Sequence, residues 1–285
     1  MKKYIILSVN DNVDYLYYIP LTVWAWKRIG WYPILFYKGE VGNSNNPLSL
    51  VLETCIISNK ELLIDWVYRL KKIDEYRPDT ITQVSRLYGT CAVEGYLMTG
   101  DADMVPLSDY WHPNQDNITV YGHDLTSYTH YPICYIGMDS MRWADVMNIK
   151  DNDYNKWIKR DLDTLPQAKS TDFYKYWSTD QDLITDRIKQ YGLTNVEFIN
   201  RGQYSNGYAK GRVDRGAWSL DYEQFIDCHM HRDIFKAFQN PNHESYDTFS
   251  KKWNDTMRML EKCFPGENFD WFVSYTKEYA KLAQV

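Results

Sequence analysis

The sequence predicts an α/β protein with a mainly parallel sheet flanked by helices, and three observations carry that prediction. The run Lys3–Val9 (KYIILSV) is apolar without alternation and stops at Asn10-Asp11, as a strand buried on both faces does where it opens into a loop. Ile19–Ile29 (IPLTVWAWKRI) has apolar residues at helical spacing and ends at Gly30, after which Tyr32–Tyr37 (YPILFY) is again strand-like, giving a β-α-β unit. Tyr96–Thr99 (YLMT) then runs through Gly100 into two carboxylates, Asp101 and Asp103.

The remaining elements follow the same alternation. Leu62–Ile73 and Ile81–Tyr88 have amphipathic helical spacing, and Ile133–Gly137 (ICYIG) has a strand pattern. Met138–Met147 and Asp151–Asp161 are expected as helices, Asp180–Tyr191 as a helix opened by Ser178-Thr179, and Val196–Ile199 as a late strand. Aromatic helical sequence from Phe249 to Leu282 closes the chain and is expected to pack on the sheet. In a sheet of this kind ligands bind outside the carboxyl ends of the strands, where Asp101 and Asp103 fall. No repeat, low-complexity tract or linker interrupts the pattern, so residues 1–285 are expected to form a single domain.

Composition narrows the function. The 285 residues carry a net charge of −6, which argues against broad nucleic-acid binding, because neutralising phosphates needs basic surface. The unusual feature is aromatic content, 25 Tyr and 11 Trp, which suits an aromatic core and also stacking platforms for sugars or bases. Cys55, Cys91, Cys134, Cys228 and Cys263 are odd in number and contain no CxxC pair, which argues against a zinc ribbon or a disulfide framework and for a reducing compartment. The N-terminal apolar run is too short for a signal peptide or a membrane span, so a soluble, cytoplasmic protein without a transmembrane segment is expected.

Two carboxylates at the end of an apolar strand are costly to desolvate unless a cation meets them. One residue apart on a turn, Asp101 and Asp103 can face one hard divalent ion, Mg²⁺ or Mn²⁺, that takes oxygen ligands from protein and phosphate together. A neutral imidazole, from His229 or His231, could join them; His112, His123 and His130 are scattered among Pro and Tyr as ordinary loop histidines. From Asn200 to Trp218 the sequence turns glycine-rich and basic, and Arg201, Lys210, Arg212 and Arg215 on a mobile loop, with Arg232, could neutralise a leaving diphosphate. Asp180 and Asp182 open a helix, where one carboxylate can cap and the other can accept a proton, Asp182 being slightly preferred as the base. Asn10 and Asp11, after the first strand, are placed to bind uracil or guanine and ribose.

The segment TGDADMVPL (Thr99–Leu107) resembles the Asp-x-Asp segment of nucleotide-diphospho-sugar glycosyltransferases of the GT-A fold, with wording similar to glycan enzymes of large DNA viruses and bacteria. Gln83–Leu87 (QVSRL) resembles the helix before that strand, whose Arg, here Arg86, reaches the donor. Ser178–Ile184 (STDQDLI) resembles the acidic motif facing the acceptor, and RVDRGAW with DCHMHR (Arg212–Trp218, Asp227–Arg232) resembles the part in which a His completes the metal shell. The chain departs from the pattern in offering two histidines there, and in lacking the Asn that usually follows the DQD motif of glycogenin-like enzymes. The likeness covers about two-thirds of the chain in layout and these four motifs in detail.

The resemblance implies a Rossmann-type sheet in which residues 1–110 bind the nucleotide sugar and residues 111–285 bind the acceptor and complete the metal site. Asp101, Asp103 and His229 would hold Mn²⁺ or Mg²⁺, and Ser8, Asn10, Asp11, Arg86, Asp101, Ala102, Asp103, Arg212, Arg215 and Arg232 would hold the donor. Asp182 and Asp180 would assist attack by a glycan hydroxyl. The implied activity is transfer of a hexosyl or pentosyl group from a UDP- or GDP-linked donor to a glycan or glycoprotein. A nucleotidyltransferase would share the Asp-x-Asp metal site, and a non-catalytic carbohydrate-binding protein would explain the aromatics without the acids.

Overall fold

A computed structural model describes residues 1–39, 47–57, 66–73, 75–125, 130–201, 211–221 and 224–283. The strands are β1 (Lys3–Asn10), β2 (Tyr32–Lys38), β3 (Trp66–Arg69), β4 (Tyr96–Thr99), β5 (Met104–Pro106), β6 (Ile118–Tyr121), β7 (Ile136–Asp139), β8 (Val196–Ile199), β9 (Arg212–Asp214) and β10 (Asp227–His229). Seven of them form a central sheet in the order β3-β2-β1-β4-β7-β6-β8, mostly parallel, with β7 running against both its neighbours. The others form a small sheet, β5-β10-β9, entered directly from the turn that carries Asp101 and Asp103.

Strand parity sorts the core into two layers, because successive side chains point to opposite faces. Ile5, Leu7 and Val9 of β1 face one hydrophobic cluster with Leu35, Tyr96 and Met98, while Tyr4 and Ile6 face the other with Ile34, Phe36 and Leu97. The first layer holds α1 (Val13–Leu16), α2 (Ile19–Arg28) and α3 (Leu48–Ile57). The second holds α4 (Pro78–Ser85), α5 (Ser140–Val146), α6 (Tyr154–Asp163) and α8 (Thr179–Tyr191), with the short α7 (Phe173–Tyr176) packed on the 3₁₀ turn Pro166–Lys169. Local chemistry sets the starts: Pro78 opens α4 where no intrahelical donor is needed, and the Asp139 carboxylate caps α5 by accepting from the Met141 and Arg142 amides.

The two closing helices, α9 (Tyr246–Cys263) and α10 (Asp270–Leu282), break at Pro265-Gly266, where Gly266 takes a φ of 87°. They are expected on the sheet; instead both pack on the 3₁₀ turn Ile234–Phe238, and α10 and the segment joining the pair reach Tyr17 and Trp24. Ile19 to Trp26 are all buried between the layers, Trp24 packs edge-on against Phe264 and Phe269, and the Tyr275 and Tyr279 hydroxyls donate to the Tyr17 and Val13 carbonyls. Because the first strand layer already has helical cover, a further helix pair can bury its apolar faces only outside that cover.

Two further expectations change. The predicted helix Leu62–Ile73 lies partly outside the described residues, and its described part is strand β3 followed by irregular chain over 70–73, with β3 paired in parallel with β2 from Ile34↔Trp66 to Tyr37↔Arg69. The β2 edge offers ladder partners to a β-branched and aromatic run (WVYR), and that tertiary pairing overrides a helical spacing of apolar residues. In Ile133–Gly137 the first three residues form a 3₁₀ turn, and β7 begins only at Ile136. Among the described residues no helix is long and apolar enough to cross a membrane.

Candidate functional site

A cleft of about 500 Å³ opens at the carboxyl ends of β1 and β4. Its wall gathers Ser8 and Asn10 from β1, Arg86 from the turn after α4, Asp101, Ala102 and Asp103, Asp180 from the start of α8, and Arg215, His229 and Arg232 from the late segments. Thus ten of the sequence-predicted residues meet in one place. Asp11, Asp182 and Arg212 do not line it.

The acidic turn is held from several sides. A Cβ on Gly100 would come within 3.0 Å of Ile5 and Leu7 side-chain carbons, so only glycine lets the chain leave the sheet this closely. The Gly100 amide donates to the Ile6 carbonyl at 2.9 Å, the Thr22 hydroxyl to the Ala102 carbonyl at 2.7 Å, and the Met230 amide to the Asp103 carbonyl at 2.9 Å. Antiparallel pairing of β5 with β10 sets Met104 opposite His229, and that register brings the imidazole to Asp103.

The two carboxylates have different partners. Asp101, with about a third of its side chain exposed, takes a guanidinium N–H of Arg86. Asp103 is almost buried, and its Oδ2 lies 2.9 Å from Arg215 Nη1 and 3.5 Å from His229 Nε2. Burial works to raise the Asp103 pKa, but His229 and Arg215 outweigh it and hold the carboxyl below its ordinary range. His229 Nδ1 faces Asp214 Oδ2 at 3.3 Å. Burial would depress the imidazole, and the two flanking carboxylates raise its pKa above the ordinary value instead.

Arg86 joins three elements: its guanidinium donates to the Gly100 carbonyl at 3.1 Å, to Asp101, and to Asp180 Oδ2 at 2.6 Å. Asp180 is about 1% exposed and its Oδ1 also accepts from the Gln181 amide at 2.9 Å. Burial raises its pKa in spite of Arg86. Asp182, the preferred base in the sequence, turns instead toward Ser178 and Gln167, each 3.3 Å away, with His130 at 3.7 Å. Two residues apart on a helix lie about 200° apart around its axis, so when Asp180 faces the cleft Asp182 must face away.

Arg212 is corrected for a similar reason. It pairs with Asp227 through two hydrogen bonds of 3.1 and 3.0 Å, and Arg201 makes two more to the same carboxylate. Asp227 is fully buried, and the paired cations leave its carboxyl far below the ordinary range although burial opposes this. The expected basic loop is therefore anchored at both ends in one buried cluster, and only Arg215 of its described cations reaches the cleft; Lys210 and the rest of 202–210 lie outside the described residues. Asp11 accepts from the Tyr37 hydroxyl rather than facing the cleft. The Asn10 side-chain Oδ1 accepts from the Asn12 backbone amide at 3.0 Å and so caps the following turn.

Asp214 and Tyr15 are site residues that sequence reasoning missed. Parallel pairing of β9 and β10 sets Asp214 beside His229 and Arg212 beside Asp227, so the RVD and DCH triplets interlock in alternation. That parity was the available signal. Tyr15 accepts from Arg232 at 2.6 Å and gives no pattern in sequence.

Asp103 and His229 fit a hard divalent ion, since cis ligands around an octahedral ion lie about 3 Å apart, close to the separation seen here. Asp214 supports the fit, because a ligating imidazole ordinarily donates its other N–H to a carboxylate. Asp101 is turned onto Arg86, and no group of three His, Cys, Asp or Glu side chains among the described residues converges as a complete metal cluster. Compared with known proteins, the chain matches no family model and no curated protein, so the reading of the site rests on its own geometry.

Proposed function

We propose that the chain is a metal-dependent glycosyltransferase of GT-A type that moves a sugar from a UDP- or GDP-linked donor to a glycan hydroxyl. One observation carries the reading: the Asp101-Ala102-Asp103 turn at the end of β4 shares a cleft with the end of β1 and with the Asp103–His229–Asp214 chain. That combination suits a diphosphate held through a cation, next to a strand end able to receive a nucleoside.

Asp103 and His229 would hold Mn²⁺ or Mg²⁺, which when bound supplies positive charge against the diphosphate. Asp214 keeps the His229 ring oriented, with Nδ1 occupied and Nε2 facing Asp103. Arg215 and Arg232 add charge where a leaving nucleoside diphosphate gains it. Arg86 fixes Asp101 against Asp180, so the acidic turn and the start of α8 keep a constant separation. Asp180, bonded and buried, serves to position Arg86.

The test is ligand-dependent stability. A nucleotide that binds only the native state raises the melting temperature by mass action. UDP or GDP should stabilise the protein in Mn²⁺ and not in EDTA, and the corresponding nucleotide sugars should be slowly hydrolysed. Stabilisation by nucleoside triphosphates alone would favour nucleotidyl transfer, and no response to any nucleotide would remove the reading.

A further inference from the structure

The outer wall of the cleft carries a pair of aromatic rings that the chemistry above does not use. Phe173 and Trp177 are 46% and 38% exposed, whereas most large aromatics of the chain are buried. Their rings stack with centroids 4.8 Å apart and planes 28° from parallel. Both line the same cleft as Asp101 and Asp180.

The pair is held in place from behind. Phe173 meets Tyr176 edge-on at 5.6 Å, and the buried Tyr176 ring lies under the Arg77 guanidinium at 4.5 Å. The Trp177 carbonyl accepts from Gln83 Nε2 at 3.2 Å, and its amide donates to the Phe173 carbonyl at 3.0 Å. Exposed rings with this much support present a fixed apolar surface to the cleft.

Polar groups around the rings suit a neutral, hydroxyl-bearing ligand. Asp79, whose Oδ2 also takes Arg77 Nη2 at 3.2 Å, and Gln181 line the same wall and offer carboxylate and amide atoms to hydroxyls. The cations that line the cleft cluster with other groups: Arg86 with Asp101 and Asp180, Arg215 with Asp103, and Arg232 with the Tyr15 hydroxyl. The C–H face of a sugar matches an aromatic plane, and its hydroxyl edge matches Asp79 and Gln181.

We propose that Phe173 and Trp177 form a stacking subsite for a pyranose ring, with Asp79 and Gln181 taking its hydroxyls. The proposal rests on the glycosyltransferase reading and specifies its sugar-binding wall. The ring would belong to the acceptor glycan or to the sugar of the donor, and the experiment separates the two.

Methyl β-D-glucopyranoside, methyl β-D-galactopyranoside and methyl α-D-mannopyranoside are offered to the protein in saturation-transfer NMR, beside melting curves with UDP or GDP and Mn²⁺. At least one glycoside should receive saturation on its ring C–H protons, weakened about ten-fold or more in Trp177→Ala and Phe173→Ala and retained in Trp177→Phe. Nucleotide-induced stabilisation should persist in all three variants. If the ring is the donor's, the alanine variants raise KM for nucleotide-sugar hydrolysis and glycoside contact is absent or unaltered. The proposal is overturned if neither glycoside contact nor that KM changes in the alanine variants, or if they lose nucleotide stabilisation, which would assign the rings to the base. A wild-type protein that contacts a glycoside but ignores every nucleotide would instead sink the transferase reading and leave the sugar platform standing.

Discussion

In the cleft one guanidinium, that of Arg86, serves two carboxylates, Asp101 and Asp180, whereas on the small sheet two guanidiniums, of Arg201 and Arg212, serve the single carboxylate of Asp227. The first cluster has an excess of negative charge and opens to solvent through Asp101; the second has an excess of positive charge, and Asp227 within it is fully sealed. Identical side-chain chemistry thus does two jobs. An open cluster with spare carboxylate capacity can take up a cation or a polar ligand, while a sealed cluster with every carboxylate lone pair used can only tie elements together.

The largest expected effect falls on the sealed cluster. Asp227→Ala leaves two nearly buried guanidiniums without a counter-charge and should cost about 3–5 kcal/mol of stability, read from urea unfolding. The corresponding change in the open cluster, Asp101→Ala, should cost much less stability, because Asp101 is partly exposed and Asp180 still pairs Arg86. If both variants unfold at the wild-type urea concentration, the distinction between the clusters is broken.

Asp103→Asn comes next. Transfer and Mn²⁺-dependent stabilisation by UDP or GDP should disappear. Two neighbouring carboxylates on a turn suggest by themselves that removing one charge relieves repulsion and leaves the apo protein as stable or more so. The pairing seen here reverses that sign, because Asp103 faces Arg215 and His229, and the apo variant should lose about 1–2 kcal/mol. Calorimetry of the apo protein in EDTA measures it, and an apo variant that melts higher than wild type would show that repulsion from Asp101 dominates after all.

Acid sharpens the same contrast. The Asp227 carboxyl is depressed in the folded state, so the stability it contributes is complete above its unfolded pKa near 4 and is lost as pH falls toward the lower folded value. Wild-type stability should therefore fall more steeply between pH 5 and pH 2 than that of Asp227→Asn, in urea titrations at fixed ionic strength. Parallel curves would mean that Asp227 does not carry the linkage.

The smallest effect separates the two late histidines. His231 stacks on Trp218 at 4.1 Å, and burial, with Lys252 nearby, pushes its pKa down to about 4, so it stays neutral and packed. His231→Ala should leave Mn²⁺-dependent nucleotide binding within about two-fold of wild type by isothermal titration, where His229→Ala weakens it about ten-fold or more. Equal losses would move the imidazole ligand away from His229.

Much of the parallel half of the fold was legible because its strands are long apolar runs that end at polar turns, and β1, β2 and β4 lie within a residue or so of the expected bounds. Strand β3 was not, since four residues at a sheet edge gain their structure from the β2 ladder and not from their own pattern. In the site, residue types and order pointed to Asp101, Asp103, Arg86 and His229, all of which reach the cleft. Sequence could not say which of Asp180 and Asp182 faces inward, because helix phase depends on packing against Arg86. Nor could it tell Arg212 from Arg215: on and just beyond β9 the first points to Asp227 and the second to Asp103, and only the pairing register decides that.

The pairing of β5 with β10 also bears on how the molecule is assembled. Residue 104 is made early and must wait for residue 229 before its small sheet can close, so the cleft acquires His229 and Arg215 only through contacts between distant parts of the chain. Loop closure of that span is entropically unfavourable until many contacts form together, so closing the small sheet costs more chain entropy than pairing β1 with β2. A nascent or truncated chain that has built the core sheet would present Asp101 and Asp103 without their late partners, and binding competence would arrive only with the last strand.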